Sequence, residues 1–194
     1  MIARRVGATT ATRIALVADS HGVLTAGLVA DLTGVDLILH AGDVGSAGVL
    51  RELRSVAAVH AVAGNNDVPR KWPPGEASVC QRLPAVIEVV LNGGTVVVVH
   101  GHQWPAVATR HQRLRALFPT ARCIVYGHSH RRVIDTTTTP WVINPGACGR
   151  ARTHDGPGWL GLTIAADDWA VTCPDFSANE PSAATSVRTR FLRE

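Results

Sequence analysis

The chain has 194 residues, enough for one domain with a sizeable core, and 46% hydrophobic against 18% charged residues excludes a disordered chain. The net charge of +4 admits an anionic substrate without identifying one, and the lack of a continuous basic-and-aromatic stripe keeps nucleic acid from first place. No apolar run is long enough to cross a bilayer, and four scattered cysteines without a C-x-x-C pair read as reduced thiols, so the expected compartment is cytoplasmic and no membrane partner is expected.

Residues 1–12 carry Arg4 and Arg5 but no apolar h-region, and read as a disordered leader rather than a secretory signal. The apolar run Arg13–Ala18 predicts a buried first strand ending at Asp19-Ser20-His21-Gly22. Val23–Leu32 has helical spacing. Asp36–Leu39 predicts a second strand ending at His40-Ala41-Gly42-Asp43, and Ser46 can cap a helix through Leu53. Val56–Val62 predicts a third strand ending at Gly64-Asn65-Asn66-Asp67. Strand–helix–strand–helix–strand implies parallel pairing. Pro69–Gly75, with three prolines and Trp72, reads as a loop beside these strand ends. Ala85–Leu91 and Thr95–Val99 form a hairpin around Asn92-Gly93-Gly94, and its second strand ends at His100-Gly101-His102. Pro105–Phe118 reads as a helix with proline in its first turn. The strand Cys123–Tyr126 delivers Gly127-His128-Ser129-His130. Short strands at Val133–Asp135 and Trp141–Ile143 follow, closed by Asn144-Pro145-Gly146. A last hairpin, Trp159–Ala165 and Trp169–Cys173, turns around Asp167-Asp168. Residues 174–194 read as a poorly ordered tail, so the domain spans 13–173.

Five strand ends thus carry Asp19 and His21, Asp43, Asn65, His100, and the pair His128 and His130. Taken one at a time, each has a bland explanation. Asp19 and Asp43 could cap helices, Asn65 could be a left-handed turn residue, and His100 a satisfied buried histidine. Together they place metal-type ligands at one sheet edge, where open α/β sheets bind ligands. Seven candidates exceed what one tetrahedral ion accepts, and imidazole, carboxylate and amide oxygen without thiolate favour Mn, Fe or Zn over Cu(I). A carboxylate can bridge two ions about 3.5–4 Å apart. Two divalent ions, two aspartates and a bridging hydroxide leave a formal +1, which suits a phosphate anion.

Asp19-x-His21, Gly42-Asp43, Gly64-Asn65-x-Asp67, His100-Gly101-His102 and Gly127-His128-x-His130 stand in the order and spacing of the calcineurin-like metallophosphoesterases, which this chain resembles over roughly residues 13–173. The compact length and Asn144-Pro145-Gly146 resemble the small single-domain phosphodiesterase branch, which also includes the retromer scaffold subunit. The resemblance implies an α/β fold built as a two-sheet β-sandwich of mixed sheets flanked by helices, in one domain, modifying the doubly wound plan above. It implies one metal held by Asp19, His21, Asp43 and His130 and another by Asp43, Asn65, His100 and His128, with Asp43 bridging. Asp67 would orient a ligand or a neighbouring histidine, and His40 either does similar work or is a buried structural histidine. The cofactors implied are two divalent ions, Mn first, with Ni, Fe, Zn or Co as alternatives.

The activity implied is hydrolysis of a small-molecule phosphate ester, most simply a phosphodiester, by a bridging hydroxide attacking phosphorus in line. Many relatives place a histidine where this chain has Asn66, and that histidine assists the leaving group. Asn66 cannot act as an acid. His102 is the nearest replacement by sequence, and Ser20 or Asn66 could hydrogen-bond the phosphate. Trp72 and Trp104 could line a substrate pocket or simply pack. His60, His111 and His154 fit no block and read as structural or surface residues. Two other readings stay open: a non-catalytic interaction scaffold of the same fold, and a phosphomonoesterase or pyrophosphatase on the same site. A homo-oligomer is compatible with the sequence.

Overall fold

The computed structural model describes residues 11–149, 153–154 and 156–174. The expected leader before residue 11 and the tail after residue 174 lie outside the described residues. Ten strands are described: β1 (Thr12–Val17), β2 (Leu37–His40), β3 (Ala58–Ala61), β4 (Val86–Leu91), β5 (Gly94–Val99), β6 (Cys123–Val125), β7 (Arg132–Asp135), β8 (Trp141–Pro145), β9 (Leu160–Ala165) and β10 (Asp168–Thr172). Four α-helices accompany them: α1 (Ala26–Asp31), α2 (Ala47–Arg54), α3 (Ala77–Cys80) and α4 (Val107–Leu117).

The strands form two five-stranded sheets, ordered β10-β9-β1-β2-β3 and β4-β5-β6-β8-β7. β1, β2 and β3 run parallel, as do β5, β6 and β8, while β9, β10, β4 and β7 are antiparallel additions. Both sheets are therefore mixed. The parallel pairing read from the first three strands holds. The doubly wound plan does not, because β1 has β9 rather than a crossover strand on its other side.

Side-chain alternation explains why the strands read as unbroken apolar runs. Leu16, Leu39, Val96, Val98, Val125 and Ile143 point between the sheets and make the central core. Their sequence neighbours point outward and are buried too. Ala15, Val17 and Ile38 pack with Leu28, Leu50 and Leu53 of α1 and α2, and Val97, Val99, Ile124 and Val142 pack with Leu114 of α4. A strand covered on both faces needs apolar residues at every position. The layers run helix, sheet, sheet, helix.

Local expectations were met where capping chemistry is explicit. Ser46 accepts from Val49 N at 3.3 Å and starts α2. The first helix is shorter than Val23–Leu32, because Thr25 caps it and accepts from Leu28 N. Pro69–Gly75 is not a plain loop. Pro69–Lys71 forms a 3-10 turn, and Trp72 is buried, with Nε1 donating to Asp67 Oδ1 at 3.0 Å. Of the two sequence readings of Trp72, packing is the one its burial supports. α3 has no counterpart in the sequence reading. The last hairpin turns at Ala166 and Asp167, and Asp168 already belongs to β10.

Candidate metal centre

The parallel strands β1, β2 and β3 of one sheet and β5 and β6 of the other release their carboxyl ends at the shared edge of the sandwich. The loops that follow cross-link there. Asp19 N donates to Gly42 O at 3.0 Å, His21 N to Asp43 O at 2.9 Å and Gly22 N to Val44 O at 2.8 Å, tying the first loop to the second. Gly127 N donates to His100 O at 3.1 Å within the other sheet. His128 N donates to Asp19 Oδ1 at 3.3 Å and joins the sheets.

Among the described residues, six non-glycine residues have positive φ, and five of them are Asp19 (54°), His21 (48°), Asp43 (55°), His128 (68°) and His130 (56°). Each left-handed residue costs on the order of 1–3 kcal/mol and persists only where its surroundings over-determine it. Asp and His tolerate the conformation better than most residues. The strain is concentrated on candidate ligands, and the loop-to-loop hydrogen bonds above hold it in place. The alternative roles fall away: Thr25 and Ser46, not Asp19 and Asp43, cap the nearby helices, and Asn65 is not left-handed.

All seven predicted ligands converge. His21 Nε2 and His130 Nε2 are 3.1 Å apart, and His130 Nε2 is 3.6 Å from Asp19 Oδ1. Asn65 Oδ1 lies 3.1 Å from His100 Nε2 and 3.0 Å from His128 Nδ1. Asp43 Oδ2 stands between the two sets, 3.8 Å from His21 Nε2 and 3.5 Å from His100 Nε2. Donors about 2.1 Å from one ion are about 3.0–3.4 Å apart in octahedral or tetrahedral geometry, so this spacing fits shared cations. Asp19, His21 and His130 form one group able to hold an ion, and Asp19, Asp43 and His100 form another. Asp19, Asp43, His100 and His130 make a buried floor, while His21 and His128 are half-buried and Asn65 is exposed.

The electrostatics follow from that packing. Burial opposes ionisation of Asp43, but the contact with His100 and the two hydrogen bonds from Asn66 outweigh it and hold its carboxyl well below the usual range. Asn66 donates from its backbone N to Asp43 Oδ1 at 2.7 Å and from Nδ2 to Asp43 Oδ2 at 2.6 Å. Burial also opposes charge on His100, yet the carboxylates of Asp43 and Asp19 raise its pKa. His100 Nδ1 donates to Ala41 O at 2.8 Å, which aims Nε2 at the cluster. Burial, with His100 nearby, pushes His128 down to about 4.

Asp67 is not a ligand here; it braces the loops. Its carboxylate accepts from Val44 N, Gly45 N and Gly64 N at 2.8–3.0 Å, besides Trp72 Nε1. It orients the backbone around Asp43 rather than a histidine ring. Gly64 is required at its position, since a Cβ there would stand 2.1 Å from Asp43 Oδ1. His102 sits at the rim, its ring 5.4 Å from His100 and 6.2 Å from His128, with Nδ1 buried and without a hydrogen-bond partner. Burial lowers its pKa.

Three further residues support the loops, and of these the bonds of Asn144 and Lys71 escaped the sequence reading. His40 Nδ1 accepts from Gly42 N, leaving Nε2 to donate to Ser20 Oγ at 2.9 Å, and Ser20 Oγ donates to Val44 O. Asn144 Nδ2 donates to Gly127 O at 2.7 Å, fixing the loop of His128 and His130. Lys71 Nζ donates to Asn66 Oδ1. Its one available signal was composition: of nineteen lysines and arginines, one is a lysine. His111 is structural as expected, bonded to Asp135 Oδ2 and Tyr126 Oη.

The domain profile described as "Calcineurin-like phosphoesterase superfamily domain" matches residues 12–167. A "Probable metallophosphoesterase" of Methanothermobacter thermautotrophicus is 33% identical over 113 residues, 58% of this chain and 60% of that protein. A "Phosphodiesterase" of Methanocaldococcus jannaschii is 28% identical over 121 residues, 59% of this chain and 68% of that protein. The chain thus spans less than two thirds of the first of these relatives. The structure of Vacuolar Protein Sorting 29 from Cryptosporidium parvum superimposes with a TM-score of 0.72 at 17% identity, covering 92% of this chain and 99% of that one, a likeness of fold. Among the described residues, no helix is long and apolar enough to cross a membrane.

Proposed function

We propose that this chain, which belongs to the calcineurin-like phosphoesterase superfamily, is a metal-dependent phosphodiesterase working on a small-molecule phosphate ester with two divalent ions. The observation that carries this reading is the placement of Asp43 Oδ2 between two nitrogen-rich donor groups, at 3.5 Å and 3.8 Å from His100 and His21. Asp19, His21, Asp43 and His130 would hold one ion, and Asp43, Asn65, His100 and His128 the other. When bound, divalent ions supply Lewis acidity to the phosphoryl oxygens and acidify water. Mn is the first choice, because mixed oxygen and imidazole donors without thiolate suit it.

The protein's own part is positioning. Asp43 stays ionised under the Asn66 clamp. His100 is held in one tautomer by Ala41 O, and Asp67 fixes the backbone that carries Asp43. His102 stands at the rim beside His100 and His128, and its neutral ring offers a leaving group a hydrogen bond rather than a ready proton; unchanged turnover in His102→Ala would remove it from the mechanism. The choice of diester over monoester is supported by the relative named as a phosphodiesterase.

The deciding experiment is turnover of bis-p-nitrophenyl phosphate by purified protein with Mn²⁺, with chelator, and with Asp43→Ala. Mn²⁺-dependent hydrolysis lost in Asp43→Ala is expected. Folded protein inactive with Mn²⁺, Ni²⁺, Co²⁺ and Zn²⁺ would overturn the reading in favour of a scaffold.

A further inference from the structure

The one lysine among nineteen basic residues stands at the end of the 3-10 turn Pro69–Lys71, just after the third strand-end block. Its side chain is exposed, while the next residue, Trp72, is buried and bonded to Asp67. The base of Lys71 is therefore anchored and its tip is free to re-aim. Lys71 Nζ donates to Asn66 Oδ1, and Asn66 Nδ2 donates to Asp43 Oδ2 at 2.6 Å. An ammonium is thus held one amide away from the carboxylate at the centre of the donor cluster. Among the described residues no carboxylate forms an ion pair with it; its partner is a neutral amide oxygen. A phosphate oxygen is the stronger partner for an ammonium, because its negative charge adds Coulomb attraction that a neutral amide oxygen does not supply. Lysine also suits this place better than arginine, since it is a compact charge on a flexible stem with three donors.

We infer that Lys71 is a substrate-binding residue: its ammonium leaves Asn66 and hydrogen-bonds an oxygen of the phosphate ester at the mouth of the site. No proton changes hands. The inference rests on the phosphoesterase reading and adds a charged contact on the side where Asn66 supplies no acid.

The single lysine makes the test direct. Reductive ¹³C-methylation keeps its charge and yields one lysine dimethyl resonance, with the α-amino signal as internal control. In the Zn²⁺-supplied protein, titration with inorganic phosphate should shift the lysine signal saturably and leave the α-amino signal in place. In parallel, Lys71→Met should lower kcat/KM on bis-p-nitrophenyl phosphate by roughly tenfold or more, the loss of one hydrogen bond to a charged group, and Lys71→Arg should recover most of it. An unmoved lysine resonance overturns the inference, even if Lys71→Met is less active, because Lys71 would then only steady Asn66. Active wild type with an equally active Lys71→Met also overturns it. Wild type inactive on all esters would defeat the phosphoesterase reading, and the phosphate titration would still decide for Lys71.

Discussion

Asp67→Asn should be among the most damaging conservative substitutions in this protein, although Asp67 is not among the predicted ligands. Each carboxylate oxygen accepts two N–H groups: Oδ1 from Gly45 N at 2.9 Å and Trp72 Nε1 at 3.0 Å, Oδ2 from Val44 N at 3.0 Å and Gly64 N at 2.8 Å. Asparagine has one acceptor oxygen. In either amide orientation its NH₂ faces two donors, so two hydrogen bonds are lost and donors confront donors. Hydrogen bonds to charged groups contribute about 1.5–3 kcal/mol each, so the expected loss is about 3–6 kcal/mol, a large part of the 5–15 kcal/mol typical of a domain. Urea denaturation of metal-free protein, followed by tryptophan fluorescence, measures this as a lower midpoint at unchanged slope. Because Asp67 holds the backbone that follows Asp43 at Val44 and Gly45 and ties it to Gly64, metal affinity should fall as well, with every candidate ligand still present. A variant within about 1 kcal/mol of wild type and with unchanged metal binding would refute the bracing argument.

Further outcomes follow from the same geometry. Gly64→Ala should abolish metal binding or folding, because its Cβ would meet Asp43 Oδ1 at 2.1 Å and Asp43 N at 2.3 Å, whereas Gly27→Ala, with nothing within 4 Å, should be neutral or stabilise by up to about 1 kcal/mol; thermal denaturation separates the two. His40 is buried neutral, and burial outweighs the Asp67 charge to push it from 6.5 down to about 4. The unfolded chain therefore binds a proton first, so stability is full above about pH 6.5 and falls on acidification toward pH 4, by on the order of 3 kcal/mol. His100, whose pKa is raised, contributes in the opposite sense, its share being lost as pH rises. His40→Gln, which can still donate to Ser20, should flatten the acid slope measured in metal-free protein. Mn²⁺ at about a hundredfold above its Kd should stabilise the fold by about 2.7 kcal/mol, raising Tm reversibly with chelator, and Asp43→Ala should show no such shift.

The strands and the candidate ligand positions at their ends were legible in the sequence for one reason: each is written locally. Strands covered on both faces need unbroken apolar runs such as Ile14–Ala18 and Val96–Val99, and each run ends on a residue that can ligate a metal. The division into two sheets was not readable from pattern alone, because whether β1 pairs with β9 or with a crossover strand depends on contacts nearly 150 residues apart in the chain. Resemblance supplied what periodicity could not.

The sequence by itself determined which residues could ligate, their order along the chain, and where α2 starts, since these depend on residue chemistry and on the Ser46 cap. Tertiary structure alone decided that Asp67 receives four donors, that Trp72 is buried, that Asn144 and the His40–Ser20 pair hold the loops, and that Lys71 reaches Asn66. Each of these joins strand ends or loops whose closeness exists only once the sheets have packed. The left-handed backbone at Asp19, His21, Asp43, His128 and His130 belongs to the same class. An isolated chain would not favour it there, and it persists because cross-loop hydrogen bonds formed on packing outweigh its local cost.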